Sequence, residues 1–402
     1  MRLASVALLA VAVGMAVGCS NNSSGPPAVA AAVVISPANP WIKSGASLQL
    51  AATVLDSNGA AIAGRLVTFR SNDASIIAVT SGGLATAVGP LGQAIVLARS
   101  VSGRDTVEGF AAVGAFDTSI TARTGLPDRS YSLAISPTNI AYVTQQDINQ
   151  LDRLNLPQLK VVDSVAVGQQ PTEIAFNSSG SKLYVTNQFS DNVSIIDVAT
   201  NRLTTGVSVS GNPFAVVVAP GDTIVYVTST ADSLFGIRAA TAAIAVRLSL
   251  PIISNGFAIH DTLLYVSTRD AGTVTVLNLK TNTFLDTIPI GGRPQGIVVS
   301  PDGTELYVAN ELGTLQFWNI PGQSLDGSVA LAGRGFGLAR RPTNGQLYVT
   351  TLEGGQVQVV DPSTRTIVKS YPVGGIVRRI AFTSSGDLAI VANEGGWVDL
   401  IQ

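Results

Sequence analysis

Leu183-Tyr184-Val185-Thr186-Asn187 is one copy of a phrase that recurs along the chain. The others are Ala141-Tyr142-Val143-Thr144, Val225-Tyr226-Val227-Thr228, Leu264-Tyr265-Val266-Ser267, Leu306-Tyr307-Val308-Ala309, Leu347-Tyr348-Val349-Thr350 and a degenerate Ala389-Ile390-Val391-Ala392. Successive copies start 42, 42, 39, 42, 41 and 42 residues apart. A period near forty with alternating patterning describes propeller blades, because helical repeats of that length carry a 3.6-residue apolar period. Seven copies predict seven blades.

One unit parses from Pro171 to Gly211. Thr172 to Asn177 reads as the innermost strand, Lys182 to Asn187 as the second, Asn192 to Val198 as the third and Arg202 to Ser210 as the outermost. The last copy stops after a third strand, Trp397 to Gln402, while 116–124, before the first copy, reads as an outer strand. The reading is a seven-bladed β-propeller over 115–402, closed by strand 116–124. Closure removes two sheet edges that would otherwise invite pairing with other chains.

The phrase at 183–187, with Asn192-Val193-Ser194-Ile195-Ile196-Asp197 after it and Gly291-Gly292-Arg293-Pro294-Gln295-Gly296-Ile297 elsewhere, resembles the YVTN family of β-propeller repeats. The Gly-His and Trp-Asp signatures of the tryptophan-aspartate repeats are absent. The resemblance implies a protein outside the cytoplasm, often without known activity; similar propellers include lactonases and lyases.

Residues 33–113 carry short alternating strands between turns, which suits a sandwich. Leu48, Leu50, Ala52 and Val54 share one face, and Asp56-Ser57-Asn58-Gly59 reads as a tight turn. The runs Gly45 to Leu50, Val67 to Asp73, Ile77 to Val79 and Gly83 to Thr86 resemble the group 2 bacterial immunoglobulin-like domain, with Phe69 where that family often has Trp. That resemblance implies a spacer or adhesion module.

Before it, Arg2 and the uncharged run Leu3 to Val17 read as a signal peptide over 1–18. Ala16-Val17-Gly18-Cys19 resembles the lipobox of bacterial lipoproteins, which implies lipidation of Cys19 after cleavage; ordinary cleavage with a free Cys19 is the other reading. Residues 19–32 have the composition of a flexible tether. The expected location is the bacterial cell envelope, as an outer-membrane or cell-surface lipoprotein with the membrane as partner through its anchor.

Composition removes several classes of function. The 402 residues are 46% hydrophobic and 12% charged, with 24 basic against 26 acidic side chains and a net charge of −2. Nucleic-acid binding needs a concentrated basic face, which this balance does not supply. One cysteine and one histidine, His260, exclude an internal disulfide framework and the usual zinc or Cys/His sites. His260 falls in a turn between first and second strands, opposite the expected ligand face.

That face is built by the loops leading into each innermost strand and those joining the second strand to the third. The inlet positions include Tyr131, Glu173, Phe214, Asn255, Gln295, Phe336, Arg378 and Arg379, a mixture suited to an uncharged or anionic polar ligand. Phe214 and Phe336 read equally well as a plug of the channel. Each joining loop carries one carboxylate: Asp147, Asp191, Asp232, Asp270, Glu311, Glu353 and Glu394. A circle of seven acids is a candidate Ca²⁺ site; solvated turn residues are the competing reading. No other cofactor is expected. No Ser-His-acid set is present, so no catalytic residue is assigned. The favoured function is a non-catalytic, lipid-anchored envelope or cell-surface protein whose propeller binds a ligand or a protein or glycan partner. The alternative is a metal-assisted propeller enzyme, lactonase- or lyase-like, using the carboxylates and Glu173 with Arg378 or Arg379 as electrophile.

Overall fold

The structure, a computed structural model, describes residues 29–103, 105–251 and 254–402. The expected signal peptide and Cys19 lie outside the described residues. Every regular element among those described is a β-strand.

Nine strands between Ala30 and Phe116 form three small sheets around one core. Leu50 and Val54 are buried there, with Leu48 and Ala52 against them, and Phe69 fills the centre. At the turn, Asp56 accepts from the backbone N–H groups of Asn58 and Ala60, and Gly59 takes φ +82°, where a side chain would be strained.

From Ala122 onward the described strands make seven successive four-stranded antiparallel sheets, an arrangement of the β-propeller kind. The second comprises Pro171–Phe176, Lys182–Asn187, Asn192–Asp197 and Arg202–Ser208. The seventh takes Val377–Phe382, Ala389–Asn393 and Trp397–Ile401 from the end of the chain and Ala122–Gly125 from before the first sheet. The closing strand expected over 116–124 is therefore shorter and later. Phe116 instead ends the last strand of the N-terminal unit, Asp105–Phe116, and Asp117 turns the chain through bonds to Ser119. Each innermost strand touches the next, and that of the seventh sheet touches that of the first, Ser130–Ile135.

The recurring phrase has a physical reason at each position. It occupies the second strand, buried on both faces between neighbouring sheets, so it reads as a continuous apolar run rather than an alternation. The tyrosine ring fills the gap between sheets, and its hydroxyl reaches a polar end: Tyr142 donates to Asn201 Oδ1 at 2.8 Å. The threonine stitches sheets together. Thr186 Oγ1 accepts from Glu173 N–H at 3.0 Å in its own sheet and donates to Phe214 O at 2.5 Å in the next. Thr228 and Thr350 repeat this with Ala215 and Ser254, and with Gly337 and Arg378. The closing asparagine fixes the inlet loop: Asn310 accepts from Arg293 N–H and donates to Gly291 O.

The N-terminal unit abuts the rim of the seventh sheet on the inlet side. Leu91, Gly92 and Trp41 face Gly374, Gly375 and Trp397 across a cleft. Arg123 holds this junction, with its guanidinium 4.6 Å from the Trp41 ring and 4.7 Å from the Trp397 ring. It bonds Asp399 through two oxygens at 2.6 and 3.0 Å, with both side chains fully buried.

Candidate functional site

Six of the seven innermost strands break register over the same three residues, as between Pro171 and Ile174 or Gly335 and Leu338; the fourth does so between Ser254 and Gly256. Such a bulge re-aims side chains, here toward the axis. Tyr131, Phe214 and Phe336, from the first, third and sixth sheets, meet there, with ring centroids 5.9 and 6.0 Å from that of Tyr131 in edge-on contacts. Arg378 lies 5.0 and 4.7 Å over Tyr131 and Phe336, and Arg379 lies 4.8 Å over Phe336. Burial pushes the Tyr131 hydroxyl well above its usual range, so it stays protonated. Tyr131, Phe214 and Phe336 thus form one packed cluster with the two guanidinium groups at the axis.

Inside the cluster lies a cavity of about 200 Å³ lined by Ser132, Glu173, Asn255 and Arg379 above apolar walls that include Phe257 and Leu338. Glu173 is held from both sides: Arg379 Nε donates to it at 2.6 Å and Ser132 Oγ at 2.7 Å. Arg379 also donates to Asn255 O at 3.1 Å. Asn255 Nδ2 donates to Gln295 Oε1 at 2.9 Å, and Gln295 Nε2 donates to Glu311 Oε1.

The joining-loop acids are brought to arginines rather than to one another. Asp147 takes both arms of Arg129, Glu353 takes Arg334, and Glu394 takes Arg378 Nε at 2.6 Å. Glu311 gathers Arg269 at 2.9 and 3.0 Å, with Arg293 and Arg334 each at 3.8 Å. Burial alone would raise the Glu311 carboxyl, but the Arg269 guanidinium overrides it and holds the group below the usual carboxylate range. Asp270 pairs with Arg269, Asp191 accepts from Asn212 N–H, and Asp232 sits beside its own turn at φ +81°. Among the described residues no three of His, Cys, Asp or Glu come together as a metal ion requires. Five of the seven acids are thus committed to guanidinium groups, while Asp191 and Asp232 are not.

His260 ends its strand away from this face, with Nε2 3.1 Å from Pro301 O. Sequence reasoning missed the arginine partners, although Arg129, Arg293 and Arg334 each stand directly before an innermost strand. That common offset was a readable signal. It also missed Arg123, whose single position between Ala122 and Thr124 in a short strand carried none.

No protein-family profile matches the chain, and no curated protein does. Among solved structures, Kuenenia stuttgartiensis Hydrazine Synthase is similar at 17% identity and a TM-score of 0.63, over 71% of this chain and 99% of that one. The likeness is one of fold: an all-β chain with an architecture of the β-propeller kind.

Proposed function

We propose that this is an exported, lipid-anchored envelope or cell-surface protein that binds a partner without transforming it. In this reading an immunoglobulin-like module abuts a seven-bladed propeller of YVTN type, and Cys19 carries the anchor. The observation that supports it most is the inlet face itself. Five of its seven acids are held by arginines, yet Ile148, Phe189, Leu312 and Ile376 stand exposed among them, Phe189 at 64% and Leu312 at 69%. Isolated exposed apolar residues are ordinary, but several on one face amid arginines have the composition of an interface. A metal-assisted enzyme needs free carboxylates, and five of the seven here are taken by guanidinium groups.

The test is binding of the chain from Ser20 to Gln402 to a glycan array and to envelope proteins, beside a Phe189→Asp, Leu312→Asp variant. Binding should fall at least tenfold in the variant with melting unchanged. Turnover of a lactone, lost in Glu173→Gln, would install the enzyme instead. Melting in millimolar Ca²⁺ and in chelator should coincide; occupancy at about a hundred times the dissociation constant would add roughly 2.7 kcal/mol.

A further inference from the structure

We propose that the axial cavity inside the aromatic cluster is a second binding site, for a small uncharged polyhydroxyl molecule of about monosaccharide size. The polarity of one hydrogen-bond chain points to this class. Glu311, ionised beside Arg269, only accepts hydrogen bonds, so Gln295 must turn Nε2 toward it. Gln295 Oε1 is then left to accept from Asn255 Nδ2, and Asn255 Oδ1 is the atom left over. That oxygen is buried without a partner, on a side chain only 5% exposed that lines the cavity. A buried acceptor without a donor costs about 1–3 kcal/mol, which a ligand donor recovers.

The donors and acceptors around it select the ligand. Arg379 lines the same cavity and donates to the Asn255 backbone, so N–H groups and an empty acceptor stand side by side. A hydroxyl serves both, since it donates and accepts. The charges of Arg379 and Glu173 cancel at 2.6 Å, so an ammonium or carboxylate ligand would be buried with no counter-charge. Apolar walls of Val217, Phe257, Ile297 and Leu338 suit the C–H face of a sugar ring. About 200 Å³ admits roughly six waters of about 30 Å³ each, enough for one such ring. Phe214, only half-buried, packs edge-on against Tyr131 and directly precedes Ala215, which lines the cavity.

The experiment is calorimetric titration of the Ser20–Gln402 chain with glucose, N-acetylglucosamine, myo-inositol and glycerol, with methylammonium and acetate as charged probes. At least one neutral probe should bind, and Ser132→Ala and Glu311→Gln should each weaken it at least fivefold. Glu311→Gln acts by freeing the chain to reverse, so it separates polarity from mere contact; Ser132→Ala is the milder variant should that one fold poorly. Binding by none of the neutral probes, binding by a charged probe alone, or a crystal structure of the soaked protein with ordered water alone on Asn255 Oδ1 would overturn the proposal. Phe189→Asp with Leu312→Asp on the rim separates the two readings: it should weaken partner binding at least tenfold and leave polyol binding intact, and either can fail alone.

Discussion

Asp152 shows how a single buried acid sets a pH dependence. It lies in the third strand of the first sheet, Gln150–Asn155, 1% exposed, with Gln150 on one oxygen and no partner on the other. Burial raises its carboxyl from 3.8 to about 6. Between those values the folded chain holds the proton more tightly than the unfolded one, so stability falls as pH rises through that window. The full shift is worth about 3 kcal/mol, an upper bound. Asp152→Asn should therefore melt about 2–4 °C higher at pH 7.5 and no higher at pH 4, measured by calorimetry across pH. Asp399 shifts in the same direction, so the slope should shrink in the variant without vanishing.

The recurring strand shows what an element's sequence encodes and what it hides. Its apolar run, its period and its turns were legible because burial on both faces selects residue type at every position. The purpose of its threonine was not. Only the register break next door places a backbone N–H and a neighbouring sheet's carbonyl within reach of one hydroxyl, and neither leaves a mark on side-chain identity. Thr186→Val keeps the shape and removes the hydroxyl. It should cost about 1–3 kcal/mol in denaturant unfolding, because the Glu173 amide loses its partner and the Phe214 carbonyl keeps only the longer bond from Thr172 Oγ1 at 3.3 Å. The partners of the joining-loop acids were hidden for a related reason. Spacing revealed that they recur, but their charge partners sit on loops some twenty residues away, as Asp147 does from Arg129. Glu311 is more distant still, reached by Arg269 of the preceding sheet.

Across the whole molecule, Arg123 and Asp399 join the N-terminal unit, the closing strand and the chain's end in one contact. Arg123→Met would leave Asp399 buried and unpaired, at a cost of about 3–5 kcal/mol; adding Asp399→Leu should recover much of it. Equal stability of single and double variants by chemical denaturation would show that the rings, not the ion pair, hold the junction. Deleting Ala122–Gly125 should do more than destabilise. It exposes Trp397–Ile401 as an unpaired edge, and size-exclusion chromatography should report oligomers.

That closing strand also fixes an order in time. Arg123 is synthesised early, and its partner Asp399 follows only 276 residues later. Until then the first sheet has no neighbour on one side, and the ring remains an open arc whose two ends cannot meet. Contacts of such long sequence separation are slow to form. Closure therefore waits until residues 397–401 have been made, and any product truncated before Trp397 stays ajar, an arc for proteases to find rather than a less stable version of the same ring.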